Sequence, residues 1–146
     1  MLIGVNTREL QFYEYIWGQI ELGRTNYRMA ADLLGKACSR LFLEAVWAAE
    51  QAPYFDTLAR ALYDSGDLNK ARQEYEKITL LITGRLADGD LYAKAFYMLG
   101  KIAEVQGDKA RASQNYRKFL DLWKGADPGI PEVEDAKKRL AGLTGS

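Results

Sequence analysis

The chain has 146 residues, enough for one domain or a short array of repeats, and 48% of them are hydrophobic, enough for a packed core. Twenty Lys and Arg balance twenty Asp and Glu, and a zero net charge argues against nucleic acid as the main ligand. There is no histidine and one cysteine, Cys38, so the commonest general base is missing and neither an intrachain disulfide nor a thiolate metal cluster can form.

The start, MLIGVNTREL, has no basic segment ahead of a long apolar run, so a secretory leader is not expected. Next comes FYEYIW (12–17), which sets large side chains around most of a helix. Two readings stay open for it: a helix buried between neighbours, or an exposed aromatic face for a partner or a second copy. YRMAADLLGKA (27–37) continues with helical spacing. Within it and just beyond, GKACS (35–39) lacks the upstream glycine of a phosphate loop, and Cys38 without a histidine partner reads as a packing residue. The apolar run at 41–49 carries Glu44 and falls short of the ~18 residues that span a bilayer. Pro53 then suits the start of a helix.

FDTLARALYDSGDLNKARQEYEKI (55–78) reads as two helices around a turn. Phe55, Leu58 and Leu62 lie on one face. Gly66 ends the first helix in the left-handed conformation, and Asp67 caps the second, worth about 1 kcal/mol. Ala71, Tyr75 and Ile78 form the second apolar stripe, with Ala71 where a bulky side chain would hold the helices apart. Asp64 and Asp67 are therefore a helix junction and not a paired acid–base site. Asp88 and Asp90 in LADGD look like a piece of a calcium loop but lack the spaced ligands and the closing glutamate. FYMLGKIAEVQGDKARASQNYRKF (96–119) then repeats the two-helix pattern. In the tail, Gly125, Pro128 and Gly129 break the chain, and Pro131 with the EVED run (132–135) opens a polar last helix to about 143.

The two middle phrases align at an offset of 41, from Gly66 to Gly107. Phe55 pairs with Phe96, Leu58 with Leu99, Asp67 with Asp108, Ala71 with Ala112, Tyr75 with Tyr116 and Lys77 with Lys118. A looser copy comes first: Ala30 precedes Ala71 by 41, and Leu34 and Ala37 fall on Tyr75 and Ile78. Upstream, Phe12, Tyr15 and Ile16 fit the first-helix pattern if Arg24 and Thr25 are an insertion. A single helix pair cannot bury its own stripe, so three pairs stacking on one another explain the repetition.

The large–Leu–Gly or Leu–Ala first helix, the Gly-Asp turn, and the Ala and aromatic of the second helix resemble the tetratricopeptide repeat family across about two thirds of the chain. The period of 41 is longer than that family's usual ~34, and the usual closing proline is missing. Armadillo- and HEAT-like repeats share such a period but not the Gly-Asp turn. The expected architecture is all-α: stacked antiparallel helix hairpins over 1–146, with units at about 9–50, 52–84 and 90–124 and a capping helix at about 131–143. The resemblance implies a noncatalytic protein-interaction scaffold with a protein or peptide partner, while charge, residue types and the lack of a spanning run lead to the expectation of a cytoplasmic chain with no cofactor, no metal, no nucleic acid and no membrane. By register, Asp56, Arg60 and Tyr63 of the second unit and Lys94, Tyr97, Lys101 and Glu104 of the third would line its binding groove. The family's lysine–asparagine clamp for a terminal carboxylate is not matched, since Asp56 and Arg60 stand in the second unit's positions. Two alternatives remain: a regulatory or oligomerisation segment of a larger bacterial signalling protein, and a homo-oligomer through the aromatic N-terminal helices.

Overall fold

The computed structural model describes residues 6–41, 51–81, 89–125 and 129–145, and among them it forms seven α-helices and no strand. In chain order these are α1 (Thr7–Gly23), α2 (Tyr27–Ser39), α3 (Ala52–Asp64), α4 (Leu68–Leu80), α5 (Gly89–Val105), α6 (Lys109–Leu122) and α7 (Pro131–Thr144). The apolar run at 42–50 and Asp88 lie outside the described residues.

α1 pairs with α2, α3 with α4 and α5 with α6, and each pair packs on the next through its second helix. The turns within pairs are built alike. Gly66 and Gly107 take φ of +88° and +80°, and the Asp67 and Asp108 side chains accept from the Lys70 and Arg111 backbone N–H groups. Ala30, Ala71 and Ala112 are fully buried where the paired helices cross. Leu34, Tyr75 and Tyr116 fill the next position, and Ala37, Ile78 and Phe119 the one after, all without exposed surface.

The first pair corrects one expectation. Arg24 and Thr25 are no insertion; they belong to the turn itself. Thr25 sits at φ +64°, 41 residues before Gly66, and is the one non-glycine with positive φ among the described residues. Asn26 stands where Asp67 and Asp108 stand, and its N–H bonds the Glu21 carbonyl as theirs bond those of Leu62 and Ala103. The true counterparts of Ala59 and Gly100 are therefore Gly18, and of Phe55 and Phe96, Glu14. The crossings agree: a Cβ on Gly18 would meet the Leu34 side chain at 2.6 Å, and one on Gly100 the Tyr116 ring at 2.6 Å. The offset of 41 thus runs without a gap from α1 onward.

It also runs into α7. Val133, Ala136, Leu140 and Leu143 follow Tyr92, Ala95, Leu99 and Ile102 by 41, and they pack towards the preceding pair as Ala95, Leu99 and Ile102 do. α7 takes the place of a fourth first helix, and among the described residues no second helix packs over it. Lys137, where Phe96 would recur, is exposed accordingly.

α1 touches α3 and α3 touches α5, whereas the second helices of successive pairs meet marginally at most. Open clefts separate α2 from α4 and α4 from α6. The stack therefore bends with the first helices on its inner side. Among the described residues no helix is long and apolar enough to cross a membrane.

Candidate functional site

The inner row of first helices carries the residues that register assigns to a groove. One register position, held by Tyr15, Asp56 and Tyr97 at steps of 41, faces the next first helix at each junction. The Tyr15 hydroxyl lies 3.3 Å from Thr57 Oγ1 and 3.5 Å from the Pro53 carbonyl; Thr57 itself donates to that carbonyl, so Tyr15 donates to Thr57. The Tyr97 hydroxyl donates to Asp135 Oδ2 at 2.7 Å. At the middle junction the same position holds Asp56, which faces Lys94 electrostatically.

Asp56 is half-buried. Desolvation pushes its pKa above the usual carboxylate value, against the pull of Arg60 and Lys94, with Asp90 adding a smaller push upward. Arg60 is exposed, and Lys94 and Tyr63 are partly buried. Lys101 bridges the two units: its ammonium lies 5.3 Å from the Tyr63 ring centre and 5.5 Å from that of Tyr97, within cation–π range. Asp56, Arg60, Tyr63, Lys94 and Lys101 thus form one shelf between α3 and α5.

Tyr97 and Glu104 have other work. Tyr97 is only 9% exposed and packs against Phe119, with ring centres 5.3 Å apart. Glu104 Oε2 accepts from the Tyr116 hydroxyl at 2.7 Å and from Arg139 Nη1 at 3.0 Å. Arg139 also donates to Asp135, closing a ring of Tyr97, Asp135, Arg139, Glu104 and Tyr116 that fastens α7 to α5 and α6. Burial works against the Asp135 carboxylate, but the Tyr97 and Arg139 hydrogen bonds outweigh it and hold its pKa low. Burial and the Glu104 hydrogen bond both push the Tyr116 hydroxyl upward. Asp135 and Arg139 escape a reading by register alone. The signal that would find Asp135 is the same offset, which carries Lys94 to it.

Cys38 is half-buried in α2, its thiol near the Tyr54 carbonyl, and burial pushes it up to about 12. That suppresses the thiolate at neutral pH.

The α1 outer face differs from every other first helix. Phe12 and Tyr13 are each 60% exposed, Ile16 and Trp17 each 40% and Ile20 39%. The opposite face buries two carboxylates. Glu14 accepts from Arg40 Nε at 2.8 Å and Nη2 at 3.2 Å; Glu21 accepts from Asn26 Nδ2 at 2.6 Å and Arg24 Nη1 at 3.0 Å. Of the two readings open for FYEYIW, the exposed aromatic face is the one the structure displays.

With this geometry in hand, comparison with known proteins gives a consistent picture. The tetratricopeptide repeat family's profile matches residues 93–122, which span most of α5 and all of α6. Among solved structures, the Arabidopsis OM64 TPR domain superposes with a TM-score of 0.70 over 94% of this chain and 98% of that one, at 19% sequence identity. No curated protein matches the sequence.

Proposed function

We infer that this chain, a tetratricopeptide-like protein in its fold and in the repeat at 93–122, is a noncatalytic module that holds a segment of a partner protein along its inner row of first helices. The observation that carries the reading is the shelf between α3 and α5. Two cations, Arg60 and Lys94, act there on the half-desolvated Asp56, and a third, Lys101, holds its ammonium over the Tyr63 ring. A segment bearing a carboxylate gains most from such a surface: charge meets charge beside a flat ring, on helices already in place, so little ordering is paid on binding.

The test is to pan a library of displayed random peptides against the folded chain and titrate the enriched sequences by fluorescence anisotropy. They are expected to be acidic and to bind Arg60→Ala/Lys101→Ala at least about tenfold more weakly, or 1.4 kcal/mol, with helicity unchanged. Tyr97→Ala is the wrong probe, because it opens the core and unfastens α7. Enriched peptides that bind the double variant as well as the parent place the site elsewhere.

A further inference from the structure

We propose that the outer face of α1 is a self-association surface, on which two copies of the chain meet α1 to α1 about a two-fold axis.

The face is a continuation of seams the fold already fills. Tyr13, Trp17 and Ile20 precede Tyr54, Leu58 and Ala61 by 41, and these precede Ala95, Leu99 and Ile102 by 41 again. In α3 and α5 the last two of these positions are buried, and α7 turns its counterparts of the same face towards the pair before it. In α1 the positions carry Tyr, Trp and Ile and stand partly in solvent. Tyr13 and Trp17 stack with ring planes 10° apart, so they form a flat ridge one turn long beside Ile16 and Ile20.

Three observations select a second copy as the occupant. First, the stripe of Phe12, Tyr13, Ile16, Trp17 and Ile20 holds no charge. A two-fold contact sets a surface against itself, and a charge near the axis would meet its own kind. Second, the whole chain has zero formal net charge, so copies do not repel at long range. Third, α7 already occupies the face of α6 on which a first helix packs, so α1 of another copy cannot take that place to build an open filament. The five side chains expose on the order of 500 Å² per copy, so full coverage buries about 1,000 Å² for two, the size of a weak, reversible interface. A two-fold through the middle of the stripe sets Ile16 near its own counterpart and the Tyr13 end of one stripe against the Ile20 end of the other.

Light scattering on a sizing column tests this at tens of micromolar chain. The expected mass is twice 16.5 kDa. Ile16→Glu and Ile16→Lys should each be monomeric with unchanged circular dichroism, and mixing the two should restore a dimer that native mass spectrometry resolves as one of each. If either variant folds poorly, oxidising Ile16→Cys in a Cys38→Ala background should give a covalent dimer across the axis. A monomeric parent chain overturns the proposal and leaves the seam to a helix of another protein. A dimer that survives both charge variants overturns it by placing the interface elsewhere. The surface lies on α1 and shares no residue with the shelf between α3 and α5 at Arg60 and Lys101, so peptide binding and self-association fail independently.

Discussion

α1 and α5 stand at the same place in the first and third hairpins, yet their faces are nearly inverted. Both put glycine at the crossing, Gly18 and Gly100, so that the second helix can come close. Around that point α5 buries Leu99, Ile102 and Ala103, whereas α1 exposes Trp17 and Ile20 and buries Glu21. Where α5 has Phe96, α1 has Glu14 held by Arg40. The geometry of the hairpin therefore comes from small residues at the crossing and from the turn. The chemical character of the face is free to vary, provided each buried carboxylate finds its donors. That freedom leaves one end of the stack apolar to the outside while the other end is capped.

The largest effect expected is at the element the two helices share. Gly18→Ala and Gly100→Ala should each destabilise by about 1–3 kcal/mol, even after the gain of about 1 kcal/mol in helix propensity. Gly100 should cost more. Its new Cβ meets the Tyr116 ring, whose hydroxyl is tied to Glu104, whereas the Leu34 side chain that Gly18 meets is equally buried but has no such tether. Urea melts of the two variants compare the crossings directly. A silent Gly18→Ala would mean that the first hairpin is not packed as the third is.

Most of this architecture can be read from residues. Ala30, Ala71 and Ala112, and the Gly-Asp phrases, mark the crossings and turns because few other residues satisfy those geometries. The first turn hides because Thr25 takes a conformation that a β-branched residue avoids, and Asn26 spends its amide on Glu21 instead of capping α2. The aromatics then draw the alignment two residues out of register. Phe12, Tyr15 and Ile16 look like a core face, though Phe12 and Ile16 point outward and the core positions hold Glu14 and Gly18. The groove residues follow from register as positions, but their availability does not. Tyr97 and Glu104 are engaged by Asp135 and Arg139, which stand 38 and 35 residues further along, and only the packing of α7 brings them there.

A second comparison lies beneath the groove, between Tyr75 and Tyr116. Both are fully buried at equivalent positions, 41 residues apart. Tyr116 donates to Glu104, while the Tyr75 hydroxyl finds no partner among the described residues, because Tyr63 stands where Glu104 stands in the next pair. Burial pushes the Tyr75 hydroxyl well up, with the Asp56 charge adding to it. Tyr116→Phe should therefore cost about 1–2 kcal/mol, and Tyr75→Phe should be neutral or slightly stabilising. Equal costs in chemical denaturation would mean that Tyr75 has an acceptor after all, and that the two hairpins are more alike beneath the groove than their first helices suggest.

The smallest effect separates the capped end from the open one by pH. Asp135 has a folded pKa below its ordinary 3.8, so its contribution is present above about pH 4 and is lost as pH falls through the folded value. With no histidine in the chain, no side chain of ordinary pKa titrates between about pH 5 and 8, so the melting temperature should be nearly flat there, the raised Asp56 carboxyl lowering it slightly as pH rises through its folded value. Below about pH 4 it should fall, and Asp135→Asn should lessen the fall without removing it, because Glu21 and Asp67 are held low too. The difference is small because Asp135 and Arg139 are each about one-third exposed and solvent screens their pairing. An acid slope identical in the two proteins would mean that α7 is held by Val133, Ala136, Leu140 and Leu143 alone. The polar ring would then orient the cap without strengthening it.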